Sequence, residues 1–180
     1  GQSTFWSQIS DDDPKIVNMG NLTRLGNWQE IAFPFIIHGD GALFANKNSN
    51  SLLCVQIKSM LASGKFDLIM LPFFVLPKAC KTIDAIHDCD SFLELWDRIV
   101  HFLKAGFEGT HPLTDVDGSA FPAGSASAEW AGKPLCNGKV RVVIWAGTAD
   151  LEFMGNDLGF PHFGSNDPCW LCPASRSHGA

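Results

Sequence analysis

Tyrosine is absent from this 180-residue chain, although fourteen Phe and six Trp are present. Its aromatic surface is therefore apolar or indole-like, without phenol groups to donate hydrogen bonds. Basic residues are scarce: 13 Lys and Arg stand against 19 Asp and Glu, a formal net charge of −6. Such a balance repels polyanions at long range and excludes this piece alone as a gripper of duplex DNA, which needs a basic footprint. Long apolar runs are missing too. Leu68–Leu76 spans nine residues and contains Pro72, too short and too broken to cross a bilayer. No basic head and apolar stretch precede Asp11-Asp12-Asp13, so no secretory signal is read, and no membrane partner. There is no phosphate-cradling Gly-rich loop of the Walker or dinucleotide type, and no Gly-x-Ser-x-Gly nucleophile elbow.

The charged share of 18% and the hydrophobic share of 46% argue against disorder and for a packed core, most simply one domain. The chain begins at Gly1 rather than Met and tapers through Ser175-Arg176-Ser177-His178-Gly179-Ala180. It reads as part of a longer open reading frame. Six Cys stand at 54, 80, 89, 136, 169 and 172. Without a secretory signal they do not suggest a disulfide framework, and Cys54 and Cys80, in apolar runs, read as buried free thiols. The expected setting is intracellular, not secreted.

Residues 1–30 are mixed and polar, and read as an extension of loop with a short helix. The core is expected over 31–160. Ile31–His38, β-branched and aromatic, is the first strand, with Pro34 at an edge or bulge and Gly39-Asp40-Gly41 as its break. Ser51–Met60 alternates as a second strand. Phe66–Leu76 is nearly all apolar, as a strand covered on both faces would be. Ser91–Ala105 carries a capping-box pattern (Ser91, Glu94). Its Phe92, Leu95, Trp96, Ile99, Phe102 and Leu103 recur at helical spacing, with Gly106 as the closing residue. Residues 107–138, rich in Gly, Pro, Ser and Ala, read as an insertion or mobile lid. Lys139–Ala146 is the fourth strand, followed by a short helix carrying Leu151, Met154 and Leu158 and stopped by Gly159 and Pro161. The order strand, strand, strand, helix, insertion, strand, helix defines an α/β fold.

Two constellations could carry chemistry. Asp40 follows the first strand and Asp150 the fourth, and ligands of open α/β sheets bind outside the carboxyl ends of strands. If those strands are neighbours, the acids converge. Two carboxylates about 4 Å apart repel by roughly 4 kcal/mol at an effective dielectric near 20, so a proton or a cation must sit between them. Mg²⁺ or Mn²⁺ suits an oxygen-only site and can drive phosphoryl displacement. The competing reading makes Asp40-Gly41 a tight turn and Asp150 a helix N-terminal residue. The second constellation is His162, Cys169, Cys172 and His178 in a tail over 161–180. A Cys-x-x-Cys knuckle places two thiolates on one metal, and the two His could complete a tetrahedral Zn²⁺ site, stabilising a loop-rich end by roughly 10 kcal/mol or more. Redox use of the pair, and two half-buried thiols without a ligand, are the alternatives. His38 could support Asp40 from behind. His101 reads as structural, and His111, Asp115 and Asp117 as parts of a solvated loop.

His38-Gly39-Asp40-Gly41, the segment Ala149-Asp150-Leu-Glu-Phe-Met-Gly-Asn-Asp-Leu-Gly-Phe-Pro-His162, and Cys169-Trp-Leu-Cys172 together resemble mobile-element-derived open reading frames of dinoflagellate type. Those are similar to the catalytic core of cut-and-paste DDE transposases of the CACTA kind. The resemblance covers roughly 31–176 and is most specific over 140–173. It implies an RNase H-like mixed sheet with packed helices, incomplete at the C-terminus, ending in a zinc-knuckle-like tail. It makes Asp40 and Asp150 ligands of Mg²⁺ or Mn²⁺, and Cys169 and Cys172 zinc ligands. The implied work is DNA strand cleavage and transfer in the nucleus, with DNA as partner of the full-length protein. The second motif usually reads Gly-Asp where this chain has Ala149-Asp150, the third acid is not in the chain, and basic DNA-binding segments are missing. The fragment is therefore expected to be inactive alone. The rival expectation is a non-enzymatic, zinc-stabilised α/β module that binds a protein partner.

Overall fold

The computed structural model describes residues 1–43, 51–62, 70–80, 83–84, 89–156 and 158–161. Three short helices open the chain: α1 (Gln2–Trp6), α2 (Pro14–Asn18) and α3 (Trp28–Ile31). Asp13 starts α2 by accepting the Lys15 N–H at 2.8 Å, and Pro14 sits in the first turn, where its missing N–H costs nothing. Then come β1 (Ala32–Leu43), β2 (Ser51–Ser59), β3 (Met70–Pro77), the short pair β4 (Ile83–Asp84) and β5 (Cys89–Asp90), α4 (Ser91–Glu108), α5 (Ala126–Trp130), β6 (Arg141–Ala149) and α6 (Leu151–Asn156).

The main sheet is mixed, with order β3-β2-β1-β6. β1 runs antiparallel to β2, and β2 to β3, whereas β1 and β6 are parallel. The α/β class expected from the element order is what the chain adopts. A parallel β1–β6 pair requires a crossover, and α4 lies within it. Among the described residues, β6 pairs with β1 alone.

Strand alternation splits the core between the two faces. On one face, Leu53 and Val55 of β2 pack with Phe92 and Ile99 of α4 and Phe153 of α6, joined by half-buried Ile37, Phe74 and Trp96. On the other, Ala32 and Val143 pack with Trp6, Ile16, Met19 and Leu22 from the N-terminal helices. The sheet is thus a middle layer. Full burial of each large aliphatic here contributes about 1.5–3 kcal/mol. The N-terminal residues, expected as a polar loop with one short helix, instead form half of this core: few apolar residues are present, but they fall where the helices meet the sheet.

Two further boundaries differ from expectation. β1 runs through Gly39-Asp40-Gly41 to Leu43, because β2 pairs with it throughout, Asp40 opposite Cys54 and Gly41 opposite Leu53. Helix α4 continues one turn past Ala105. Gly106 is internal and buried, where a Cβ would lie 2.9 Å from Val142 Cγ2, so its lack of a side chain lets the helix approach β6. The closing residue is Gly109, at φ +70°. Its N–H donates to Gly106 O, and Thr110 N–H donates to Ala105 O, each at 3.1 Å, a Schellman arrangement. Phe102, expected on the buried stripe, is 55% exposed, since Phe92, Trp96, Ile99 and Leu103 already fill the side facing the sheet. Pro34 sits where a bulge was expected, beside the β1–β6 register shift at Phe35/Ile36.

The run 107–138 is folded back on itself. His111 N–H donates to Lys133 O, Gly132 N–H to His111 O and Leu135 N–H to Gly109 O, at 2.8–3.1 Å.

Candidate functional site

The parallel pairing of β1 and β6 sets the geometry of the acid pair. Ile37 pairs with Gly147, His38 with Thr148 and Gly39 with Ala149. Asp40, inside β1, and Asp150, in the link from β6 to α6, each follow this last pair by one residue. Asp40 is half-buried and Asp150 exposed. Because Ile37 and Gly39 face α4 and α6, strand alternation turns His38 and Asp40 to the opposite face. The tight-turn reading of Asp40 is overturned by its place inside a strand. The helix-cap reading of Asp150 is correct: Phe153 N–H donates to Asp150 Oδ1 at 2.6 Å, and Met154 N–H donates to Asp150 O at 3.1 Å. That role uses one carboxylate oxygen and leaves the other.

The floor of the site is built from hydrogen-bonded neighbours. His38 Nδ1 lies 3.0 Å from Thr148 Oγ1, and that hydroxyl donates a long 3.5 Å bond to Ile37 O. The Thr148 hydroxyl thus holds the His38 ring in place across the β1–β6 pair. Gln56 stands opposite His38 and donates from Nε2 to Cys54 Sγ at 3.1 Å. Behind the strand ends, on the α4 side, lies an apolar cavity of about 320 Å³ whose lining includes Trp96, Gly147, Phe153 and Met154. Lys78, in the turn after β3, brings Nζ within 3.6 Å of where a Gly41 Cβ would be. Thr148 could not be found from the sequence, since it reaches His38 through a strand pairing that has no local signal.

Carboxylate oxygens are the donor type that a hard divalent cation such as Mg²⁺ or Mn²⁺ prefers. Two acids do not complete its shell, and among the described residues no group of three or more His, Cys, Asp or Glu could hold a metal. His162, Cys169, Cys172 and His178 lie outside the described residues. The other candidates resolve into structural roles. His101 Nε2 lies 3.0 Å from Thr114 O, as befits a structural histidine. His111 stacks against Trp130 with ring centroids 5.3 Å apart. Asp115 Oδ1 accepts the Val116 N–H and stands 4.0 Å from Arg98. Asp117 accepts hydrogen bonds from the Ser119 side chain and N–H, which hold its carboxyl below the usual carboxylate range. Cys54 is half-buried, but Cys80, expected inside, is exposed in the turn that follows β3.

No family model, curated protein or solved structure matches this chain. No helix among the described residues is long and apolar enough to cross a membrane.

Proposed function

We propose that this chain is part of an RNase H-like catalytic core of the cut-and-paste DDE transposase kind, a metal-dependent polynucleotidyl transferase or nuclease that is inactive as this piece alone. The observation that supports the reading is the β1–β6 register, whose last pair, Gly39 with Ala149, directly precedes Asp40 and Asp150. The sheet order β3-β2-β1-β6, with α4 in the crossover, supports it. So do the sequence motifs around Asp40, Asp150 and the Cys169-x-x-Cys172 knuckle. Asp40 and the free oxygen of Asp150 would hold Mg²⁺ or Mn²⁺, which when bound supplies charge stabilisation for phosphoryl transfer. The residues of this chain do the positioning. Pairing with β2 would hold Asp40, α6 would hold Asp150 through its cap, and Thr148 would hold His38, the neighbour of Asp40 on the same face of β1. A third acid and the basic surface for DNA belong to the rest of such a protein, which would act in the nucleus. A net charge of −6 gives this piece no such surface.

Mn²⁺ titration by calorimetry tests the reading, comparing the chain with its Asp40→Asn/Asp150→Asn double variant. The native chain should bind at least roughly tenfold more tightly, the scale of one lost charged ligand. Equal binding would remove the catalytic-site claim. Metal analysis on the same sample addresses the tail: about one zinc per chain is expected if Cys169 and Cys172, with His162 and His178, form a Cys₂His₂ site. Zinc without Asp-dependent Mn²⁺ binding would favour the zinc-stabilised interaction module instead.

A further inference from the structure

At the end of β6 opposite Asp150, roughly 30 Å away at about 3.3 Å per residue, a second cavity opens between the loop after α2 and the last turn of α4. Its volume is about 570 Å³, within the span of small-molecule sites, roughly 300–1,000 Å³. One wall is apolar, with Met19, Leu22 and Phe107; the other carries Lys104, Glu108 and Arg141. Met19 and Leu22 are core residues, so that wall is fixed by the packing of the N-terminal helices.

Arg141 is the unusual member. Its guanidinium lies flat against Gly109, where any Cβ would overlap it. The same glycine closes α4 at φ +70°, so helix ending and guanidinium placement depend on one residue. The C-terminal dipole of α4 favours a cation here, which accounts for the charge but not for its hydrogen bonding. Arg141 Nε is buried and has no hydrogen-bond partner among the described residues. A buried donor left unmet is destabilising, because it has lost water without gaining an acceptor. Neither Lys104, Glu108 nor Arg141 has an ion-pair partner among the described residues. Two cations and one carboxylate leave one positive charge facing a cavity in a chain that is otherwise acidic.

We infer that this cavity binds a small organic monoanion, its carboxylate received by Arg141 and Lys104 and its apolar body laid against Met19, Leu22 and Phe107. The negative group gives the guanidinium N–H groups an acceptor and neutralises the excess charge. The body replaces water along the apolar wall. Glu108 acts as the selectivity element: it repels a second negative charge, so dianions are disfavoured.

Calorimetric titration of the whole chain with phenylbutyrate, phenylbutanol and inorganic phosphate tests this. Phenylbutyrate should saturate one site, with phenylbutanol and phosphate each at least roughly tenfold weaker, because each lacks one half of the recognition. Lys104→Gln should weaken phenylbutyrate binding by roughly tenfold, and Glu108→Gln should tighten it several-fold, by about the energy of one screened charge. Both residues are exposed, so thermal melting should show both variants folded. Arg141→Gln should abolish binding. Should that variant fail to fold, the Lys104 and Glu108 variants decide the matter. Phenylbutanol or phosphate binding as tightly as phenylbutyrate would overturn the inference. So would an affinity unchanged in both the Lys104 and Glu108 variants, or no saturable binding at millimolar ligand.

Discussion

The ring of Phe153 occupies the space that a side chain at Gly39 would need. Gly39 precedes Asp40 on β1, and Phe153 is the residue whose N–H is capped by Asp150, so one contact fastens both strand ends to α6. Phe153 is 3% exposed and lies within the core cluster of Phe92 and Ile99, so it has nowhere to retreat. Gly39→Ala should destabilise the fold by about 1–3 kcal/mol through overpacking. Urea unfolding would show a lower midpoint with an unchanged slope. An unchanged midpoint would mean that the α6 contact is not tight.

Asp150 has two separable duties. Asn is as good a helix cap as Asp, whereas Ala is not. Asp150→Asn should therefore leave stability within a few tenths of a kcal/mol, and Asp150→Ala should lose about 1 kcal/mol. Both should weaken Mn²⁺ binding equally if the carboxylate is a ligand. Comparing denaturation with Mn²⁺ titration on the two variants separates cap from ligand.

Trp6 anchors the opposite face of the sheet. It is 1% exposed, and its Nε1 donates to Ala32 O at 2.8 Å. Its ring meets Trp28 and Trp145 at centroid distances of 5.2 and 5.5 Å. Trp6→Phe should cost about 1–3 kcal/mol, as the Ala32 carbonyl loses its indole donor and the smaller ring leaves a gap. Thermal melting would register this, and near-ultraviolet circular dichroism should lose the coupled indole signal.

Asp117 gives a pH prediction of known sign. Hydrogen bonds from Ser119, the side chain first, hold its carboxyl below the ordinary range. A depressed folded-state pKa means that its contribution is present above the unfolded pKa and fades as pH falls through the folded one. Ser119→Ala should move the Asp117 titration upward toward the usual carboxylate value, which carbon-detected NMR would follow. A titration unmoved by that substitution would show that the Ser119 side chain is not the cause.

The two signals that repeat locally were legible from the chain. The helical spacing of Phe92, Trp96, Ile99 and Leu103 located α4, and the β-branched runs located β1, β2 and β6. Boundaries set by partners were not. Gly39-Asp40-Gly41 has the composition of a break, yet β2 pairs across it; Gly106 resembles a helix stop, yet it is a place of contact with Val142. The short β4–β5 pair has too few residues to show a period. Asp150 was legible as an acid just past a strand, whereas Asp40 lies inside β1, and the parallel pairing of β1 with β6 is encoded by no spacing along the chain. The pocket at Arg141 left no local trace, because its walls come from segments over a hundred residues apart.

His38 and Thr148 touch across 110 residues of intervening chain. Closing so long a loop costs about 4 kcal/mol of chain entropy by the (3/2)RT ln n rule, and little compensates it until the last strand arrives. During synthesis, the N-terminal two-thirds would leave the ribosome with β1 open along one side and Asp40 without a neighbour. The β1–β6 ladder can close only after translation has reached β6, so premature termination before that point yields a product whose β1 keeps one edge unpaired.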